Sequence, residues 1–270
     1  MTTRHYRWIK GFALAALVPL FAACSSEDDS PVQGGEQQEV QVSISTRATA
    51  DGDTWTWQNG DAINLYVMGY GSISPTTTTL TYINGRWSTF NVTLPATVEA
   101  CYPATATLTS FTIPTNQSAG IAEADYMTTA SSQQLNGTNL SLVLEHRLSK
   151  VIVTITDWSD YGSTMPTVTD FKIQTKESIT VNGSTVTGDG NTIDISPLQD
   201  EAAHSYTAIV APGTGFTITL TVDRRSKTVT YPGTLESGNA YSFSLTLKDN
   251  ELVLTPIGTL PGWSDQEQEI

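Results

Sequence analysis

The feature that most constrains this chain is a period-two alternation of Thr, Val, Ile, Tyr and Phe with polar residues, broken at short intervals by Gly, Asn, Asp and Pro. Alternation at two residues places every second side chain on one face, which is the geometry of a half-buried strand and not of a helix. Such runs cover residues 62–68, 78–83, 150–156, 169–175, 206–210, 216–222 and 241–247. The breaks between them are turn signals. Asn84-Gly85 and Asn182-Gly183 suit tight hairpins, and residues 223–227 form a polar hairpin tip. Only residues 119–135 lack the alternation and read as a loop with one helical turn. There is no helical heptad and no fixed-length repeat, so the chain is predicted to be all-β.

One break in parity sets the domain organisation. Leu140, Leu142, Leu144, His146 and Leu148 share one parity, whereas Val151, Val153 and Ile155 share the other. A strand keeps its faces, so the switch near 148–150 implies a bulge or a chain leaving one sheet for another. Each half then has the length and strand number of a β-sandwich.

The N-terminus is excluded from the fold. Arg4, Arg7 and Lys10 precede an apolar run from Gly11 to Ala23 that ends in small residues, the pattern of a secretory signal peptide over 1–23. Phe21-Ala22-Ala23-Cys24 resembles a bacterial lipobox, in which Cys24 is acylated and becomes the new N-terminus. Acyl chains of the palmitate type on Cys24 would hold a domain at a bilayer, each buried CH₂ contributing ~0.8 kcal/mol. Residues 25–29, Ser-Ser-Glu-Asp-Asp, resemble a signal for export to the outer face of the outer membrane and also suit a solvated tether. The expected layout is signal peptide 1–23, polar tether 24–38, N-terminal β-sandwich 39–147 and C-terminal β-sandwich 148–270.

Charge and cysteine content limit partners. Without the signal the chain keeps ten basic residues against 27 acidic ones, a balance of −17, which repels nucleic acid and anionic lipid. Once Cys24 is acylated, Cys101 is the one thiol left, so neither an internal disulfide nor a cysteine metal cluster can form. In Val98-Glu99-Ala100-Cys101-Tyr102 it reads as a small core residue.

No residue pattern demands catalysis. His146 lies on an apolar strand face and His204 in a polar turn; no nucleophile elbow, His-Glu-x-x-His helix or phosphate-binding Gly loop is present. Asp157 and Asp160 flank Trp158, but acids in an interstrand loop are ordinarily solvated. The Asp51, Asp53 and Asp61 set lacks the EF-hand spacing, because Trp55 occupies a ligand position, and Asp189 with Asp194 makes no better calcium site. No catalytic residue, cofactor or metal is expected. Trp55 and Trp57 share a face and fit either a sugar-stacking platform or a core-covering pair, the second being the ordinary use of large aromatics.

Several stretches, in order, resemble the fimbrillin family of surface lipoproteins: Trp57-x-x-Gly60-Asp61-x-Ile63-x-Leu65-Tyr66, Tyr82-x-x-Gly85-x-Trp87, Ala100-Cys101-Tyr102-Pro103, Asn116-Gln117-Ser118 with Asp125-Tyr126-Met127, Leu144 to Val151, Leu235 to Tyr241, and Gly262-Trp263. Asn116 stands where Asp is usual, and Cys101 where a second Tyr is common. The resemblance implies two tandem transthyretin-like β-sandwiches serving as shaft, tip or anchor subunits of adhesive fimbriae. It also implies, for shaft subunits, a cut after an Arg that removes the lipid and the first strand, leaving a groove for a neighbour's strand. Here Glu39 to Thr46 alternates like a strand with Val40, Val42 and Ile44 on one face, and Arg47-Ala48 follows. Cleavage there would remove Cys24 to Arg47. The alternative is that Arg47 is a loop residue and the lipid stays, as in an anchor or accessory subunit. Glu251 to Thr255 reads as a strand that either donates to another chain or closes the second sandwich.

The expectation is therefore a non-enzymatic fimbrial subunit or accessory protein on the cell outer membrane. Its partners would be other fimbrial subunits, membrane lipid through Cys24 and a host or microbial surface ligand, with no nucleic acid. The rival is a surface glycan-binding lipoprotein of a sugar-import system, which would use exposed coplanar aromatics such as Trp158 with Tyr161, or Trp55 with Trp57.

Overall fold

The computed structural model describes residues 35–46, 56–213 and 215–261. The leader, Cys24, Arg47, Ala48, Trp55, Gly262 and Trp263 lie outside the described residues. Across the described residues the chain is almost entirely strand, with two single-turn 3₁₀ segments, Ala122–Ala124 and Ser159–Tyr161. Ten strands precede the parity switch: β1 Gln37–Thr46, β2 Ala62–Met68, β3 Thr76–Ile83, β4 Arg86–Trp87, β5 Phe90–Thr93, β6 Ala96–Tyr102, β7 Ser110–Thr112, β8 Met127–Thr129, β9 Gln133–Leu135 and β10 Asn139–His146. Nine follow it: β11 Ser149–Asp157, β12 Val168–Asn182, β13 Thr185–Ile195, β14 Leu198–Asp200, β15 Ser205–Val210, β16 Phe216–Val222, β17 Arg225–Tyr231, β18 Asn239–Leu247 and β19 Leu252–Pro261.

The first group, apart from β7, forms one sheet in the order β4-β3-β2-β6-β8-β10-β1-β5, with β9 also paired to β6. Its two ends, β4 and β5, are separated in sequence only by Ser88 and Thr89. So short a link cannot cross a flat sheet of this width, since a residue spans at most ~3.6 Å. The sheet therefore curls round its own core, which holds Ile63, Leu65, Leu80, Val98, Leu142 and Leu144, all without measurable exposure.

The second group forms two sheets, β14-β15-β11-β18-β19 and β13-β12-β16-β17, whose inner faces share one core. Residues 150–156 and 241–247 contribute Val151, Val153, Phe243 and Leu245 to one wall, and Ile173, Ile218 and Leu220 come from the other. The parity switch is a change of sheet. β10 ends at His146, Arg147 and Leu148 connect, and β11 starts the second assembly at Ser149.

The two assemblies are not separate beads on the chain. Between β6 and β8 the chain leaves the first sheet: β7 pairs antiparallel with β12, and Phe111, Ile113, Ala124 and Tyr126 enter the second core. Residues before the switch thus build both cores. Turn chemistry fixes the hairpins. Asn84 (φ 53°) and Gly85 (φ 81°) are the two loop residues between β3 and β4, the positive-φ pair of a type I′ turn. At the β12–β13 hairpin Asn182 pairs with Thr185, so Gly183 (φ 61°) and Ser184 make the loop instead of Asn182 and Gly183.

Candidate functional site

β1 is the element whose environment departs most from an ordinary strand. Its first half, Gln37 to Val40, runs antiparallel to β5 in the register Gln37↔Thr93 to Val40↔Phe90. Its second half, Gln41 to Thr46, runs parallel to β10 in the register Gln41↔Asn139 to Thr46↔Leu144. The strand therefore joins the β5 end of the curled sheet to its body. Val40 and Ile44 are buried and Val42 is half-buried, while Gln41, Ser43 and Ser45 face solvent. Leu140, Leu142, Leu144, Phe90 and Val92 belong to the same core and form the apolar bed on which β1 lies. The three β-branched residues singled out in the sequence thus face the core together.

An aromatic clasp holds the C-terminal end of β1. The Trp57 indole N–H donates to the Ile44 carbonyl at 2.9 Å. Trp57 packs edge-on against Trp87 and Tyr102, with ring centroids 5.0 and 5.4 Å away. Asp61 braces the clasp: one carboxylate oxygen accepts from the Gln58 amide at 2.7 Å, and the other lies 3.4 Å from the Tyr102 hydroxyl. The Gly60 N–H donates to the Tyr82 carbonyl at 2.9 Å, and the Tyr82 N–H to Asp61 at 2.8 Å. Trp57-x-x-Gly60-Asp61, Tyr82-x-x-Gly85-x-Trp87 and Tyr102 are thus one assembly in space. At the other end Thr89 donates to the Glu39 carboxylate at 2.7 Å.

The remaining motifs within the described residues meet where the two assemblies join. Arg147 N–H donates to the Tyr126 carbonyl, and Gly238 N–H to Leu148 at 2.8 Å. Ser237 and Ser149 hydroxyls donate to the carbonyls of Arg147 and Glu236, at 2.8 and 2.9 Å. Gln117, itself buried, clamps β15 by donating to the Ile209 carbonyl at 2.9 Å and accepting its N–H at 2.8 Å. A β-carbon at Gly238 (φ +74°) would lie 2.9 Å from the His146 carbonyl oxygen. Gly238→Ala is expected to lower stability by about 1–3 kcal/mol, read as a reduced urea midpoint at unchanged m-value. An unshifted midpoint would mean that the 235–241 turn does not grip the connector.

Asp125 and His146 form a buried pair at this junction, Nδ1 to Oδ1 at 2.9 Å. Burial raises the Asp125 carboxyl above its ordinary range, and the facing His146 and then Lys150 pull it partly back. A raised acid favours the fold while it is neutral and loses that contribution as pH climbs through its folded-state pKa. The stability of the chain relative to an Asp125→Asn variant, from urea titrations, should therefore be higher at pH 4 than at pH 7. The opposite sign would show that the ion pair outweighs desolvation. Asp125→Ala, which leaves His146 without this partner, should cost about 1–3 kcal/mol.

The other candidate residues are used structurally. Burial pushes the Cys101 thiol up to about 12, an unreactive core group. Asp157 accepts from the Ser159 amide and Asp160 from the Asp249 amide, so both carboxylates secure loops. Asp189 and Asp194 are engaged by Gly190 and Gln174. Trp158 and Tyr161 pack against the second core and Trp57 against the first, so these three do not present a flat exposed platform. Among the described residues no group of three or more His, Cys, Asp or Glu is placed to hold a metal.

An all-β chain with a curled N-terminal sheet, a sandwich behind it and a clasped first strand defines a class of fold, and comparison with known proteins gives that class its family. Residues 46–263 match the model of the fimbrillin-like family, so the chain belongs to that family. The match starts at the last residue of β1. No curated protein matches the sequence. Among solved structures the chain is similar to a candidate cell adhesion protein from Bacteroides ovatus, at 14% identity and TM-score 0.61 over 84% of this chain and 98% of that one. A second candidate cell adhesion protein, from Bacteroides uniformis, matches at 18% identity and TM-score 0.61 over 84% and 99%. The tip fimbrial protein Mfa3 from Porphyromonas gingivalis, with a C-terminal truncation, matches at 9% identity and TM-score 0.53 over 84% and 100%. At these identities the likeness is one of fold.

Proposed function

We propose that this chain is a subunit or accessory protein of a fimbria, displayed on the cell surface, without enzymatic activity. It is exported as a lipoprotein acylated on Cys24, tethered to the outer membrane by the residues ahead of β1, and works through two modules, 39–147 and 148–270, with Phe111, Ile113, Ala124 and Tyr126 of the first packed into the core of the second. β1 is an occluding strand. Cleavage after Arg47 frees it, and a strand from a neighbouring subunit takes its place.

The observation that carries this reading is the seating of β1. A strand at the start of the fold lies on the apolar bed of Leu140, Leu142 and Leu144 and links two parts of one sheet. Arg47 follows its last residue in sequence. Removing it leaves two rows of unpaired backbone groups and an apolar channel, which an extended segment of another chain can satisfy by main-chain pairing. Until the cut, the chain blocks its own groove.

The test is the N-terminal residue of the protein on intact cells. A start at Ala48 marks a polymer subunit, and a start at acylated Cys24 marks an anchor or accessory subunit. An uncut leader would defeat both. The packed state of Trp57, Trp158 and Tyr161 gives the sugar-import reading no support, and Trp55 lies outside the described residues.

A further inference from the structure

Residues 62–85 contain no charged residue, in a chain with 40 charged residues among 270. This stretch is the β2–β3 hairpin with its two connecting turns. Its interior side chains fill the core, but its tip does the reverse. Met68, Tyr70 and Ile73 are 41%, 61% and 101% exposed. They sit in Met68-Gly69-Tyr70-Gly71-Ser72-Ile73-Ser74. With Ile83 they make up four of the six large hydrophobic side chains exposed among the described residues. Scattered surface hydrophobics are ordinary; three on one uncharged loop tip mark a contact surface.

The tip is held in one place. The Tyr70 N–H donates to the Thr93 carbonyl at 2.9 Å. A β-carbon at Gly69 would lie 2.9 Å from that same carbonyl oxygen and 3.1 Å from Val92 Cγ2, so only glycine lets the loop approach β5 this closely. Thr93 is also the register partner of Gln37, the first residue of β1. The exposed apolar tip and the point where the tether enters the fold therefore share one end of the N-terminal module.

We infer that this tip is a membrane-contacting loop that rests on the bilayer to which the chain is tethered. The inference relies on the reading of Cys24 as acylated. Twelve residues lie between Cys24 and Gln37, and a linker of that length without fixed structure has a root-mean-square reach of about 20 Å. A tip at the tether's entry is thus held close to the headgroups, and a weak contact becomes effective because it is intramolecular. The chemistry suits an interface: Tyr places a ring and a hydroxyl at headgroup level, Ile and Met add apolar surface, and no charge must be desolvated. The remainder of the chain, at a balance of −17 without its leader, is repelled by anionic headgroups, so the neutral hairpin is the face that approaches at least electrostatic cost. The contact would orient the module, holding the start of β1 toward the membrane.

The test uses full-length lipoprotein carrying Ile73→Cys, labelled with an environment-sensitive fluorophore and reconstituted into vesicles of phosphatidylethanolamine with a minor share of phosphatidylglycerol. Asn191→Cys, an exposed position in β13, serves as the control. Flotation with the vesicles reads the anchor, and emission reads the loop. The expected result is flotation of both proteins, with a blue shift and quenching by spin-labelled lipid for the label at residue 73 alone, as for a group about 5–10 Å inside the headgroup boundary. Flotation with a water-like spectrum at residue 73 overturns the loop contact and leaves the anchor standing. Failure to float overturns the anchor and the loop contact together. Tyr70→Ser with Ile73→Ser, exposed changes that leave the core intact, should still float but lose protection of the 68–74 amides from hydrogen exchange on vesicles; retained protection would also overturn the inference.

Discussion

A chain that begins at Ala48 is expected to melt well below the chain that carries β1, and to recover when a peptide of residues 37–46 is supplied. Val40 and Ile44 are buried and Val42 is half-buried, together about 5 kcal/mol of apolar burial. For a domain of this size each kcal/mol moves the midpoint by about 2–4 °C, so the fall should be roughly 10–20 °C. The shortened chain should also sediment as oligomers, since the unpaired edges of β5 and β10 and the exposed leucine bed are a template for any extended segment. Thermal denaturation and analytical ultracentrifugation, each with and without the peptide, check this. A stable monomer that ignores the peptide would show that β1 is an ornament on a closed sheet.

The second large effect comes from disabling β1 without cutting it. Val40 has no measurable exposure and pairs with Phe90. Val40→Asp would bury an unpaired carboxylate, which costs several kcal/mol unless the strand leaves its seat. Releasing β1 is the cheaper course, so the variant should behave as the cut chain while still carrying its tether. It should bind the residue 37–46 peptide, and an Arg-specific protease should cut it faster after Arg47. Gln41→Asp, one position on and facing solvent, should do neither. Equal protease rates in the two variants would separate the burial of β1 from access to Arg47.

Much of the architecture could be read from the residues. β2 and β16 span the same residues as the alternating runs at 62–68 and 216–222, because in both a single face is buried and no bulge interrupts the period. The parity change at Leu148 marks a change of sheet for the same reason. Residues 119–135 hide β8 and β9, since strands of three residues carry no period. β12 runs to Asn182, well beyond the run at 169–175, because Lys176, Glu177 and Ser178 interrupt the apolar alternation, although Ile179 and Val181 keep the inward parity of Ile173 and Thr175 and the register shift there puts its extra residue in β13. The crossing of β7 into the second assembly was not legible, as strand partners so far apart are chosen by tertiary packing. Nor was the Asp125–His146 pair, whose members are 21 residues apart and lack a local signature. For the candidate site, the common face of Val40, Val42 and Ile44 was readable from alternation, but the antiparallel-to-parallel change of partner along β1 was not. The clasp was present only as scattered Trp, Gly and Tyr positions until the fold brought them round the Ile44 carbonyl.

Whether β1 occupies a place meant for another chain's strand can be read from hydrogen exchange on subunits purified from assembled fibres. Such subunits are expected to start at Ala48 and yet retain slow exchange along residues 140–144 and 90–93, because a neighbour's strand has replaced β1. Fibres whose subunits still carry residues 37–46 seated on β10, or cut subunits in which those amides exchange freely, would contradict it.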